Sequence, residues 1–275
     1  MSFSILPRDS GFQDGSAASG FALAAAPSKP AYGPAYRVAP QAQSAARWLS
    51  NTPLLQHDHP RIRLLALKLT QLKHGARDKA VACHDFVWRL PFASPGDALP
   101  NSIDVLQAGS GDGFSKATLF IALLRSIDIP ARGRVVALEP GYMRGLQQSS
   151  ATLVEHMFTE VLLDGWWLGV DTYVVDPALG FAARSRLVEE DRQRGWGVHL
   201  RGQTGWDGRG SSFGQFSTGD PQGLPVLDLG AFDDAQEFRK SGAQRYGAAP
   251  RRNWGIGAAL LNRRIRKLRE GAIVR

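Results

Sequence analysis

A histidine and an aspartate lie on two segments that are predicted to pair as neighbouring strands. The Asp164-Gly165 dipeptide between the segments is a characteristic two-residue hairpin turn. In the register that this turn sets, His156 and Asp171 project from one face as diagonal neighbours, so their side chains can meet. A carboxylate there fixes the imidazole tautomer and stabilises the imidazolium, as in the second and third members of a catalytic triad. A purely structural histidine would give the same pattern.

The elements that would carry these residues indicate an α+β domain. One helix is predicted to begin at Pro60 and to stop at Gly75, and a second is predicted over residues 78–90. Residues 115–127 are apolar on nearly every side, which is typical of a helix in the middle of a domain. Three strands follow, over residues 134–138, 157–163 and 166–173. Helices followed by consecutive strands predict a buried central helix packed on an antiparallel sheet.

The loop and helix around residue 113 resemble the core of the transglutaminase-like superfamily. The resemblance rests on Gly109-Ser110-Gly111-Asp112-Gly113-Phe114-Ser115-Lys116-Ala117, on the apolar helix and on Ile129-Pro130-Ala131-Arg132 after it. It extends from the helices near residue 61 to about Pro177, with a weaker likeness around Trp206-Asp207-Gly208. The resemblance implies a papain-like fold in which the start of the central helix activates a cysteine for acyl transfer or amide hydrolysis.

Gly113 stands where that family carries its nucleophilic cysteine. The order Gly113, His156, Asp171 is similar to the family's order of Cys, His and Asp, so these positions are the candidate catalytic residues. Gln107, six residues before Gly113, has the separation of an oxyanion-hole glutamine in related papain-like enzymes, although a glutamine on a surface loop fits equally. Asp128 departs from the family's usual glycine at a helix exit.

Three nearby or reactive residues could be considered as substitute nucleophiles. Ser115 lies two residues further along the helix, so its side chain is turned by about 200° from that of residue 113. Asp112 is a remote candidate and, like Ser110, can cap the helix. Cys83, the only cysteine, falls on the apolar stripe of the second helix and is expected to be an inert core residue.

Three functional readings remain open at this point. The first is a pseudoenzyme that keeps His156 and Asp171 and binds a peptide, amide, acyl group or thioester in its cleft. The second is an enzyme in which His156, oriented by Asp171, acts as a general base without a covalent intermediate. The third is a silenced variant of a cysteine hydrolase or acyltransferase. No cofactor is expected, because the sequence contains neither a phosphate loop nor a dinucleotide fingerprint. No metal is expected either, because His57-Asp58-His59 is interpreted as a solvated loop.

The positive charge of the chain is concentrated at its C-terminal end. The formal net charge is +8, and the last 25 residues contain eight basic side chains against Glu270. The rest of the protein is close to neutral, so a nucleic-acid partner is not expected. An apolar stripe in residues 251–275 predicts a basic amphipathic helix, which could meet an anionic membrane surface or a partner helix, or dock on its own domain.

Three regions are expected along the chain. Residues 1–45 are read as a disordered or loosely docked arm, 46–240 as the transglutaminase-like domain, and 241–275 as the basic helix or tail. The glycine-rich stretch 195–219 is predicted to be a mobile cover or a surface excursion. The single cysteine and the lack of a signal peptide or a long apolar run favour a cytoplasmic location.

Overall fold

Seven helices and two antiparallel sheets make up the described part of the chain. The structure is a computed structural model that describes residues 32–39, 45–95, 99–146, 152–243 and 254–271. The elements in chain order are α1 Pro60–Thr70, α2 Gly75–Arg89, α3 Ser102–Ala108, α4 Gly113–Arg125, β1 Ala131–Leu138, β2 Val154–Leu163, β3 Trp166–Val170, α5 Pro177–Glu189, β4 Arg194–Gly195, β5 Val198–His199, β6 Leu227–Phe232, α6 Ala235–Lys240 and α7 Trp254–Arg269. The predicted combination of helices with an antiparallel sheet is confirmed.

The central helix is α4, which packs against β1, β2 and the three helices before it. Every side chain from Ser115 to Arg125 is buried, as the apolar sequence predicts. Asp112 caps the helix by accepting a hydrogen bond from the Ser115 amide at 2.9 Å. Asp128 follows the helix with a φ of 60°, a left-handed conformation that glycine adopts most easily. This geometry explains why a glycine suits that position.

The main sheet has the strand order β3-β2-β1-β6, with every neighbouring pair antiparallel. Asp164 and Gly165 form the predicted hairpin turn, with φ values of 50° and 79°. The ladder runs in the predicted register from Leu163–Trp166 to Thr159–Val170. It then stops, because the chain turns at Asp171. The third strand is therefore three residues shorter than expected, and Asp171 lies at the first position of the turn.

Part of the expected N-terminal arm is built into the fold. The side chains of Tyr32 and Tyr36 are 1% and 3% exposed and pack on the sheet face that carries Phe158. The Tyr36 hydroxyl donates to the buried carboxylate of Glu160 at 2.5 Å. Residues 32–38 are thus attached by buried contacts, which corrects the expectation of a disordered or loosely docked arm for this segment. Residues 1–31 lie outside the described residues.

The glycine-rich stretch 195–219 is a packed part of the domain. Its aromatic residues Trp196, Trp206, Phe213 and Phe216 are all at most 7% exposed. Backbone hydrogen bonds tie it to the end of β3, including one from the Asp171 amide to the Ser212 carbonyl at 3.1 Å. The prediction of a surface excursion is therefore wrong. Glycines permit this path where the backbones nearly touch: a Cβ on Gly202 would lie 2.3 Å from the Gly214 carbonyl oxygen.

The C-terminal helix α7 packs on α5. Its apolar stripe is buried at Ala258, Ile265 and Leu268, whereas Arg263 and Arg266 face solvent. Of the alternatives for this segment, the packing favours docking on its own domain. Residues 251–253 and 272–275 lie outside the described residues, as does the side chain of Trp254. In the described part of the chain, none of the helices has the length and apolar character needed to cross a membrane.

Candidate active site

His156 and Asp171 contact each other directly. His156 lies near the start of β2, and its Nε2 is 3.1 Å from Oδ2 of Asp171, which follows the last residue of β3. The two side chains are buried, with His156 5% exposed and Asp171 inaccessible to solvent. The ring of Tyr142 packs against the imidazole, with a distance of 6.3 Å between ring centroids. The hairpin turn alone brings these two residues together from 15 positions apart.

The second carboxylate oxygen of Asp171 is held by the glycine-rich stretch. The Gly214 amide donates to Asp171 Oδ1 at 2.5 Å. The Asp171 amide itself donates to Ser212, and the Asp171 carbonyl accepts from the Val174 amide at 2.8 Å. The carboxylate and its backbone are thus fixed from both sides. The role of Gly214 was not predicted, since it depends on a contact between segments 43 residues apart.

The contact with Asp171 determines which imidazole nitrogen carries the proton. An ionised carboxylate can only accept hydrogen bonds, so Nε2 must be the donor. In the neutral ring, Nδ1 then carries the lone pair. Among the described residues, none forms a hydrogen bond with Nδ1. The arrangement leaves one basic nitrogen of an oriented histidine without a hydrogen-bond partner in the part of the chain that the structure describes.

Gly113 is the first residue of α4 and lies next to a short turn that begins at Asp171. A Cβ built on Gly113 would lie 3.6 Å and 3.9 Å from the two γ-carbons of Val174, which are ordinary contact distances. Val174 is three residues after Asp171, and the two are joined by the hydrogen bond that closes their turn. Position 113 therefore has room for a small side chain. It lies next to the turn that positions Asp171, the residue in contact with His156.

The loop before α4 is held against the segment that follows α2. The Gly111 amide donates to the Pro91 carbonyl at 3.1 Å, and the Gly111 carbonyl accepts from the Ala93 amide at 3.1 Å. Glycine suits position 111, because a Cβ there would lie 2.7 Å from the Ser115 hydroxyl oxygen and would force a shift. These contacts fix the point at which α4 begins.

The structure places the other candidate nucleophiles in structural roles. The Ser115 hydroxyl accepts from the Asp112 amide at 2.8 Å and contacts the Asp112 carboxylate at 2.7 Å, so both residues form the capping box of α4. Cys83 is fully buried in α2, and burial raises the pKa of its thiol to about 12. The thiolate, which is the reactive form, is therefore disfavoured.

Gln107 belongs to a short helix that was not predicted. It lies near the end of α3, and its side chain is exposed. Asn101 caps this helix by accepting from the amides of Ile103 and Asp104. The Asn-Ser-Ile-Asp sequence is a capping-box signal from which the helix could have been found. In the described part of the chain, no hydrogen bond involves the Gln107 side chain, so its oxyanion role stays a prediction.

Sequence reasoning missed Lys116, which lies one turn into α4. Its ammonium group is fully buried and donates to the carbonyls of Leu90 and Val174 at 2.8 Å and 3.1 Å. Burial lowers the pKa of Lys116 to about 7. Lys116 joins the start of α4 to the turn that follows Asp171. A lysine inside an otherwise apolar helix was the available signal.

Comparisons with known proteins identify the family that part of the chain resembles. Residues 63–172, two fifths of the chain, match the family model of the transglutaminase-like superfamily. No curated protein matches the chain in sequence. A solved structure described as a "putative cysteine protease" from Cytophaga hutchinsonii is 22% identical, with 50% of this chain and 44% of that chain covered and a TM-score of 0.40.

A second solved structure, described as a "putative protease" from Parabacteroides distasonis, is 19% identical, with 46% of this chain and 24% of that chain covered and a TM-score of 0.32. The chain thus spans less than half the length of either structure. The segment that matches the transglutaminase-like family model, from residue 63 to residue 172, contains Gly113, His156 and Asp171.

Proposed function

We propose that this protein is a transglutaminase-like pseudoenzyme that binds a peptide, amide or thioester beside Gly113 without forming a covalent intermediate. The observation that carries the proposal is Gly113 itself. It occupies the first position of α4, has room for a side chain, and lies next to the turn that holds Asp171 against His156. Glycine supplies no nucleophile, so covalent acyl transfer cannot start from this position.

The surroundings of Gly113 support a site for a polarised acyl group. Asp112 and Ser115 satisfy each other at the helix start, and the amides of Gly113 and Phe114 have no hydrogen-bond partner among the described residues. Such first-turn amides favour a partly negative oxygen. His156 offers an unpartnered Nδ1, which can accept a hydrogen bond from an amide N–H. The ligand class follows from these complementary groups.

Restoring a thiol at position 113 tests the assignment. We expect Gly113→Cys to give a thiol whose pKa is at least one unit lower than that in Gly113→Cys/His156→Ala, because an imidazolium stabilises the thiolate. Both variants should also carry Cys83→Ala. The measurement is the pH dependence of iodoacetamide labelling, together with acylation by p-nitrophenyl acetate. Phe114→Cys is the matched control, since it shares the helix end but not the position.

The outcomes separate the readings. We expect the unmodified protein to form no covalent adduct and to turn over neither amides nor thioesters, whereas Gly113→Cys is acylated. Turnover through a covalent adduct in the unmodified protein would overturn the pseudoenzyme proposal. A thiol at 113 with an ordinary pKa, equal with and without His156, would show that the position is not a vacated nucleophile site.

The unpartnered Nδ1 of His156 favours one second candidate, a noncovalent enzyme in which His156 acts as a general base on water. In that case the unmodified protein hydrolyses an amide or thioester, and His156→Ala lowers kcat by about 10²-fold to 10⁴-fold. Equal rates for the protein and His156→Ala would remove this candidate.

A further inference from the structure

A cavity of about 370 Å³ lies between α5 and the glycine-rich stretch. This volume is within the range of small-molecule sites. Its walls include one face of α5 and residues 203–204 and 214–215. Thr172 and Gly214 also line it, and these residues are respectively the neighbour of Asp171 and the donor to its carboxylate. The cavity is therefore adjacent to the His156–Asp171 pair without containing either residue.

The cavity presents a cation that has no acidic partner. Arg184 donates to three backbone carbonyls, those of Gly180, Gly202 and Gln203, at 3.2–3.3 Å. Its Nε is buried without a hydrogen bond, and no carboxylate among the described residues pairs with the guanidinium. The one acidic residue in the walls, Asp176, is already bound by Arg269. The charge that lines this cavity is therefore positive, which favours an anionic ligand.

An unsatisfied acceptor lies in the same walls. Gln215 is 4% exposed, and its Nε2 donates to the Gly197 carbonyl at 3.3 Å. This bond orients the amide, and Oε1 is left buried without a partner among the described residues. A buried acceptor without a hydrogen bond carries an unfavourable desolvation cost. A ligand N–H or O–H that reached Oε1 would remove that cost.

Apolar side chains in the walls extend from the interior of the cavity to the surface. Trp88, Val175 and Val198 line the interior. Phe181 and Val188, two turns apart on the same face of α5, are 78% and 66% exposed and also border the cavity. They provide a surface for the apolar body of a ligand whose charged end lies at Arg184.

We propose that this cavity binds a small carboxylic acid that combines an apolar body with an N–H donor, as in an N-acylated apolar amino acid or the C-terminal residue of a peptide. The carboxylate pairs with Arg184, the N–H approaches Gln215, and the apolar side chain contacts Trp88 and Val198. This inference goes beyond the function proposed above, because it requires nothing of Gly113 or His156.

Calorimetric titration of the full chain with matched probes tests the inference. The acids are N-acetyl-L-phenylalanine, N-acetyl-L-leucine and 3-phenylpropanoate, and the neutral probes are their primary amides. We expect at least one acid to bind at least tenfold more tightly than its amide. Arg184→Gln should abolish this preference, whereas Arg186→Gln, on the same helix but paired with Glu189 and Glu190, should preserve it.

A second variant guards against a folding defect in Arg184→Gln. Ser185 is an exposed wall residue, so Ser185→Trp should fill the cavity mouth, leave the thermal midpoint within a few degrees and abolish binding of every probe. Absence of saturable binding by all three acids overturns the inference. So does equal affinity for acids and amides, or a preference for acids that survives Arg184→Gln or Ser185→Trp. His156→Ala should bind the acids normally, which separates this site from the one at Gly113.

Discussion

At the scale of single residues, Asp171 determines the chemical state of His156. Its carboxylate accepts two donors, the Gly214 amide on Oδ1 and the imidazole Nε2 on Oδ2. Both contacts are possible because the ionised Asp171 side chain has two oxygens that accept hydrogen bonds and carries no proton of its own. A backbone amide has a fixed donor, whereas an imidazole can change its tautomer. The two partners of Asp171 therefore respond differently when the carboxylate becomes an amide.

Asp171→Asn is expected to reverse the tautomer of neutral His156. The asparagine oxygen must stay on the Gly214 amide, so its NH₂ group faces Nε2, and the ring moves its proton to Nδ1. The ¹⁵N chemical shifts of the two ring nitrogens report the change. His199 is the internal control, because its Nε2 contacts Asp220 and its Nδ1 accepts from the Arg201 amide in both proteins. Retention of the Nε2–H form would contradict the geometry.

At the scale of elements, the helices and strands that could be predicted are those marked by a local sequence signal. The helix α4 was found because it is apolar all round, and the hairpin because Asp164-Gly165 suits a turn with positive φ at both residues. The register of the hairpin then predicted the His156–Asp171 contact. The helix α5 was missed because its apolar residues include the exposed Phe181 and Val188, although Asp176-Pro177 is a start signal.

The elements that could not be predicted depend on contacts between distant segments. The stretch 195–219 contains many glycines, which usually indicate a loop, yet the partners that bury it lie on β3 and near Asp171. The strand β6 pairs with β1 across about 95 residues and contains a bulge, so no local alternation marks it. Its pairing, like that of Tyr36 with Glu160, is a property of the folded chain.

Lys116 provides a prediction about the central helix as an element. Its pKa of about 7 in the folded state lies below its value of about 10.4 in an unfolded chain. The unfolded state therefore binds more protons between these values, and the free energy of unfolding rises with pH in that window. We expect the unmodified protein to gain stability relative to Lys116→Met between pH 7 and pH 9, by up to about 1.4 kcal/mol per pH unit.

Urea unfolding at pH 7, 8 and 9 measures this difference. Lys68→Met is the matched control, because Lys68 is an exposed lysine on α1. Its stability difference from the unmodified protein should stay constant over the same range. A constant difference for Lys116→Met as well would show that folding does not lower the pKa of Lys116.

At the scale of the whole molecule, the C-terminal helix joins three separate parts of the domain. Arg269 donates to the Phe92 carbonyl at 3.0 Å and pairs with Asp176, the cap of α5. Asn262 and Ser94 exchange two hydrogen bonds, and Arg264 donates to the Leu146 carbonyl at 2.9 Å. Some of the basic residues that make the chain positive are thus used in docking α7, and the exposed ones carry the remaining charge.

The Asp176–Arg269 pair predicts how this docking responds to acid. Burial alone would raise the pKa of the Asp176 carboxyl, but Arg269 and the amides of Phe92 and Leu179 bring it below its usual value. A lowered pKa means that the pair stabilises the fold above about pH 4 and loses that contribution as pH falls through the folded-state pKa.

Asp176→Asn should therefore be less stable than the unmodified protein at pH 7, with a stability difference that narrows below pH 4. Thermal unfolding between pH 3 and pH 7 measures this difference, and Arg266→Gln, an exposed change on α7, should show no such trend. A stability difference that is the same at every pH would mean that the ion pair does not attach α7 to α5.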